Sequence, residues 1–245
     1  MGGYLFVLLV GLVAGAISGV IGTGSSIMLL PVLVLTFGPK QAVPIMAVAA
    51  VMANISRVIA WWREINWKAF VAYSITGVPA AALGARTLLI LPVHMVDIGL
   101  GIFFLAMIPL RHWLDAKKIH IRLWQLSVAG GLIGYLTGIV LSTGPLSVPA
   151  FSSYGLIKGA FLSTEAISSL ALYISKVVTF QELGALPREV ILQGVIVGLS
   201  LMLGTFVAKR VVQRMSIASF RYVLDVLLLC SGLSMLWTAF VSSSR

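Results

Sequence analysis

The sequence predicts an all-α polytopic membrane protein of two homologous halves, arranged as inverted repeats, with eight long helices and two short broken segments near the bilayer midplane. Three observations carry this. Hydrophobic residues make up 60% of the 245 residues and charged residues only 10%, against about 25% charge in soluble domains; a globule of this size could not hide so much apolar surface without exposing contiguous patches. The apolar residues fall in runs of about 20, the length of a helix that crosses a hydrocarbon core. The runs also recur, with an offset near 119 residues.

Tyr4 to Ile21 is the first run. It starts without the Lys/Arg of a secretory signal, and Ala14-Gly15-Ala16 resembles a cleavage site only superficially, so it reads as an uncleaved span. Ser25 to Phe37 follows, 13 residues long and too short for an ordinary span. Runs over 41–61, 69–90 and 93–110 complete an N-terminal repeat, 1–110. The stretch Arg111 to Arg122 (RHWLDAKKIHIR) is the one strongly polar segment and reads as a cytoplasmic linker. The C-terminal repeat, 123–245, then holds 123–142, the short piece Pro145 to Leu156, 159–181, Val190 to Ala208 and 217–240. Trp61, Trp62, Trp67, Trp113 and Trp124 flank spans where an aromatic belt is expected.

The repeat shows as an ordered series. Gly15-Ala-Ile-Ser-Gly19 returns as Gly134-Tyr-Leu-Thr-Gly138, and Thr23-Gly24 with Pro31 returns as Thr143-Gly144 with Pro149. Phe37-Gly38 matches Tyr154-Gly155, Arg57 matches Lys176, and Gly84 matches Gly204. Close helix packing alone favours small residues at such spacings, so the order of the series matters more than any one glycine pair.

Charge discriminates between two topologies. If the short pieces re-enter without crossing and the N-terminus is inside, Lys/Arg outside the spans divide eight against seven. If each short piece crosses and the N-terminus is outside, eleven gather on one side, leaving Lys40, Arg86, Arg188 and Arg245 opposite. The second count obeys the positive-inside rule and makes the halves inverted. It requires thin or partly unwound crossings, because 13 residues span only about 20 Å as helix.

The net charge of +10 would suggest nucleic acid in a soluble protein, but here it lies between spans, with no surface domain left to hold a groove. No nucleic-acid partner is expected. The single cysteine, Cys230, excludes an internal disulfide and a thiolate metal site. His94, His112 and His120 are scattered, and there is no Walker loop or His-Glu-x-x-His. No enzyme activity, cofactor or metal is expected.

The candidate substrate site combines the two broken segments, Thr23-Gly24-Ser25-Ser26 and Ser142-Thr143-Gly144-Pro145-Leu146-Ser147. Glycines let the backbone turn, and hydroxyls with free N–H groups at helix starts favour an anion; the alternative is a pair of helix N-caps. Arg57 with Asn54 one turn earlier, and Lys176 with Tyr173 one turn earlier, would supply charge, unless both cations snorkel to the interface. Glu165 is the most internal acid and the candidate for proton coupling; capping a helix start or reaching Lys158 are its alternatives. Asp225 with Arg221, and Asp97 with His94, read as local structural pairs.

The duplicated run Gly11-Leu-Val-Ala-Gly15-Ala-Ile-Ser-Gly19-Val-Ile-Gly22-Thr-Gly24, followed by Leu30-Pro31, resembles the signature of the TauE/SafE family of sulfite and organosulfonate exporters, and the likeness covers the whole chain. Gly24-Ser25-Ser26 and Ser142-Thr143-Gly144-Pro145 are poorer in glycine than the cluster that family members usually carry. The resemblance implies export of sulfite, sulfoacetate or related anions across the bacterial cytoplasmic membrane. From the residues themselves, alternating access between the halves is expected, with an anion channel or a non-transporting membrane protein as the alternatives. The sequence also admits a homodimer.

Overall fold

The computed structural model describes residues 2–21, 25–116, 120–140 and 144–208, together with Leu229, Leu233, Leu236, Trp237 and Phe240. The described residues are mostly helical and contain no strand. Among the residues described from 2 to 208, nine α-helices run in the order α1 (Gly2–Ile21), α2 (Ser25–Phe37), α3 (Pro39–Trp61), α4 (Trp67–Ile90), α5 (Val93–Ala116), α6 (Leu123–Val140), α7 (Gly144–Ser153), α8 (Lys158–Glu182) and α9 (Arg188–Ala208). Seven are long, and the short α2 and α7 occupy the two segments expected to be broken. α5 runs six residues beyond the expected end of its span, because Arg111–Ala116 contains no Gly or Pro to stop it. Leu229, Leu233, Trp237 and Phe240 are helical and exposed, at spacings that put them on one helical face.

Helix boundaries follow from local chemistry. Gly38, with φ +77°, turns the chain out of α2, and Pro39 opens α3 at a position where its missing N–H costs nothing. Gly155, with φ +100°, performs the same turn after α7. The Asn66 side chain accepts from Ala69 N at 3.1 Å and caps α4.

Packing crosses between the halves. α4 lies along α6 and α1 along α9. Glycines permit both approaches: a Cβ on Gly134 would stand 2.7 Å from the Gly77 Cα, and one on Gly15 would stand 2.7 Å from the Leu201 Cα. α3 and α8 contact each other at the centre, α3 packing also on α9 and α8 on α4. These two carry apolar stretches long enough to span a bilayer, Gln41–Ile59 and Gly159–Glu182. Outward faces are aliphatic, with Ile75, Ile90, Leu132 and Leu192 each more than half exposed, as suits a lipid solvent.

The ends of the bundle are fixed by three contacts. Ile121 N donates to Ser153 O at 3.0 Å, so the C-terminal end of α7 lies at the N-terminal end of α6. Asn66 N donates to Thr164 Oγ1 at 2.9 Å, and the Glu64 carboxylate packs on Gly159, so the α3–α4 turn sits at the start of α8.

Candidate functional site

Three charged side chains are buried among the described residues: Arg57, Glu165 and Lys176. Neither cation snorkels. Arg57 is 8% and Lys176 0% exposed. Arg57 leaves α3 four residues before its C-terminal end, directed to the packed face of a helix whose residues Ala42–Ala47 are wholly buried.

The Arg57 guanidinium donates from Nη1 to Glu165 Oε2 at 3.0 Å and from Nη2 to Asn54 Oδ1. Asn54 is oriented in turn by donating Nδ2 to Ala50 O at 2.7 Å. The other carboxylate oxygen, Oε1, accepts from Ser169 Oγ at 2.8 Å and lies 3.2 Å from Ser147 Oγ, which also faces Gly144 O. One carboxylate thereby joins α3, α7 and α8. Charge-assisted bonds of this kind are the strong ones, and they counter part of the desolvation of both charges.

Lys176 has a different environment. Its Nζ donates to Thr137 O at 2.8 Å and sits 5.3 Å from the Phe180 ring centroid. Thr137 lies in the last turn of α6, the end of a helix that carries partial negative charge. Among the described residues no carboxylate pairs with Lys176. Two of its three N–H donors are unspent there. Glu165 and Lys176 stand eleven residues apart on α8, about 16 Å along the axis. Ser169 and Tyr173, both on helical spacing from Glu165, lie between them on α8. Arg57 Nε and Ser168 Oγ are buried without a hydrogen-bond partner among the described residues.

Of the other residues singled out in the sequence, Ser25 is buried at the start of α2, Gly144 opens α7 and Tyr173 is buried one turn before Lys176. Thr23, Gly24, Ser142 and Thr143, and the side chains of Ser26, His94, Asp97, Arg221, Asp225 and Cys230, lie outside the described residues. The structure brings Arg57, Asn54 and Glu165 together and sets Lys176 apart with α6. It adds Ser147, Ser169 and Thr137. Ser169 was accessible to spacing rules as the i+4 neighbour of Glu165; the Thr137 carbonyl had only its place in the repeated Gly134–Gly138 motif. Cavities among the described residues include one of about 600 Å³ on α6 and α7 (with Leu132, Leu136, Leu146 and Pro149) and one of about 470 Å³ around Arg86 and Leu183. Arg57, Glu165 and Lys176 line neither, and the first is almost wholly aliphatic, so the charged residues locate the candidate site better than the cavities do.

Aliphatic outward faces around buried charged side chains define the class as an α-helical membrane protein. More particularly, the chain matches the family model Sulfite exporter TauE/SafE over residues 7–235 and belongs to that family. The match covers both halves and every candidate residue from Thr23 to Lys176. The family is one of transporters, which accords with the non-enzymatic reading of the sequence. A comparison with curated proteins finds no match.

Proposed function

We propose that the chain is a secondary transporter that exports a small sulfur oxyanion, sulfite or a related organosulfonate, across the bacterial cytoplasmic membrane by alternating access between inverted halves. The observation that carries this reading is Lys176: fully buried, with unspent donors and no carboxylate partner among the described residues. A buried cation is costly unless something compensates it. A passenger anion would do so at the break between α6 and α7, where the N–H groups that start α7 add favourable partial charge. Thr23, Gly24, Ser25, Ser26, Ser142, Thr143 and Gly144 would contribute hydrogen bonds from the two breaks, with Tyr173 beside the cation.

The pairing of helices supports a twofold repeat. With α1 equivalent to α6, α3 to α8 and α4 to α9, the contact of α4 with α6 has its counterpart in α9 with α1, and that of α3 with α9 in α8 with α4. Gly38 and Gly155, matched in the repeat, share a positive φ. The Ile121–Ser153 hydrogen bond supports a crossing by α7, and with it the topology that collects eleven Lys/Arg on the cytoplasmic side. In that topology the Arg57–Glu165 pair closes the cytoplasmic end, while Lys176 lies deeper and nearer the outside. Proton coupling through Glu165 belongs to a step that opens this pair, since protonation removes the counter-charge of Arg57.

Uptake of radiolabelled sulfite into proteoliposomes tests the reading. A transporter gives saturating flux that responds to an imposed gradient. Flux that rises linearly with concentration favours the channel, and no flux favours a non-transporting protein.

A further inference from the structure

We infer that Glu165 fixes the charge of the passenger at one, so that the site takes a singly charged sulfonate or hydrogensulfite in preference to a dianion such as sulfate. The inference rests on the transport reading above and narrows it. Glu165 holds Arg57 at 3.0 Å while Ser147 and Ser169 fill its second oxygen, so the carboxylate is a resident anion clamped by donors on three helices. The charge of Arg57 is already answered. Among the buried described residues, Lys176 is the basic side chain without a carboxylate partner.

The repeat shows why the two cations differ. An offset of 119 carries Arg57 onto Lys176, but carries Glu165 onto Met46, a fully buried apolar residue of α3. One half therefore holds a built-in counter-charge, and the other leaves that place to the passenger. Burial in a medium of low dielectric favours a site whose charges sum to zero. A monoanion beside Lys176 reaches that sum. A dianion leaves one negative charge over.

Calorimetric titration of the purified full-length protein with sodium methanesulfonate and sodium sulfate, whose charges are one and two near neutral pH, tests this. The wild type is expected to bind methanesulfonate at least about tenfold more tightly than sulfate. Glu165→Gln leaves Arg57 uncompensated beside position 165, which is about 16 Å along α8 from position 176. At an effective dielectric constant near 20, that charge should reduce the preference for methanesulfonate about fivefold. The double variant Arg57→Gln/Glu165→Gln removes both charges, leaves no new unpaired one, and should return the preference to that of the wild type. Equal wild-type affinity for the two anions, an unchanged preference in Glu165→Gln, or a double variant that follows Glu165→Gln overturns the inference and leaves transport standing. Binding of neither anion by the wild type removes the transport reading and this inference with it.

Discussion

Arg57 and Glu165, 108 positions apart in the chain, meet at 3.0 Å inside the helical bundle. They tie the central helix of one half to the central helix of the other, and Ser147 extends the tie to short α7. Removing one partner strands the other in low dielectric. Arg57→Ala or Glu165→Ala is therefore expected to cost about 3–5 kcal/mol of stability, whereas Arg57→Ala/Glu165→Ala costs less than the sum of the two single changes. Unfolding in detergent by a denaturant series, analysed as a double-mutant cycle, measures the coupling. Additive single and double effects would show that the pair contributes nothing.

The α4–α6 approach depends on missing side chains. At Gly134 an added methyl meets the Gly77 backbone, while at Gly99 of α5 it meets nothing within 4 Å. Gly134→Ala is expected to destabilise by about 1–3 kcal/mol, and Gly99→Ala to be neutral or to stabilise by up to about 1 kcal/mol. Thermal melting of the two variants side by side checks the contrast.

Gly38 and Gly155 end the two short helices with φ of +77° and +100°. Side chains resist that conformation, so alanine at either position should cost about 1–2 kcal/mol. Similar losses of melting temperature at both sites are expected if the halves are built alike.

Most helices were legible because a bilayer imposes one length and one composition on anything that crosses it. The short α2 and α7 were visible as apolar runs cut by Gly and Pro, and Gly15, Gly84, Gly134 and Gly204 fall at close helix contacts. Charge partners were not legible. Arg57 and Lys176 look interchangeable along the chain, each with a polar residue one turn earlier, and only tertiary packing assigns Glu165 to one of them. No local rule links residues 108 apart, whereas Ser169 lies within a helical turn of Glu165 and was within reach of spacing arguments. The end of α5 was missed for a simpler reason: polarity ends a membrane span without ending a helix.

Topology can be read from cysteine labelling in a Cys230→Ser background, since the chain has one native cysteine. His120 and Glu182 are both exposed. With α7 crossing the membrane they lie on opposite faces, so an impermeant maleimide applied outside intact cells should label Glu182→Cys and spare His120→Cys. Protection of both would mean that the short segments re-enter instead.

The most direct test of the account is kcat/KM for sulfite in proteoliposomes carrying wild type or Lys176→Gln. Glutamine keeps a donor for Thr137 O and removes the charge. A charged hydrogen bond contributes about 1.5–3 kcal/mol, so the variant should lose about 10- to 100-fold in kcat/KM. Wild-type kinetics in a correctly folded Lys176→Gln protein would contradict the account.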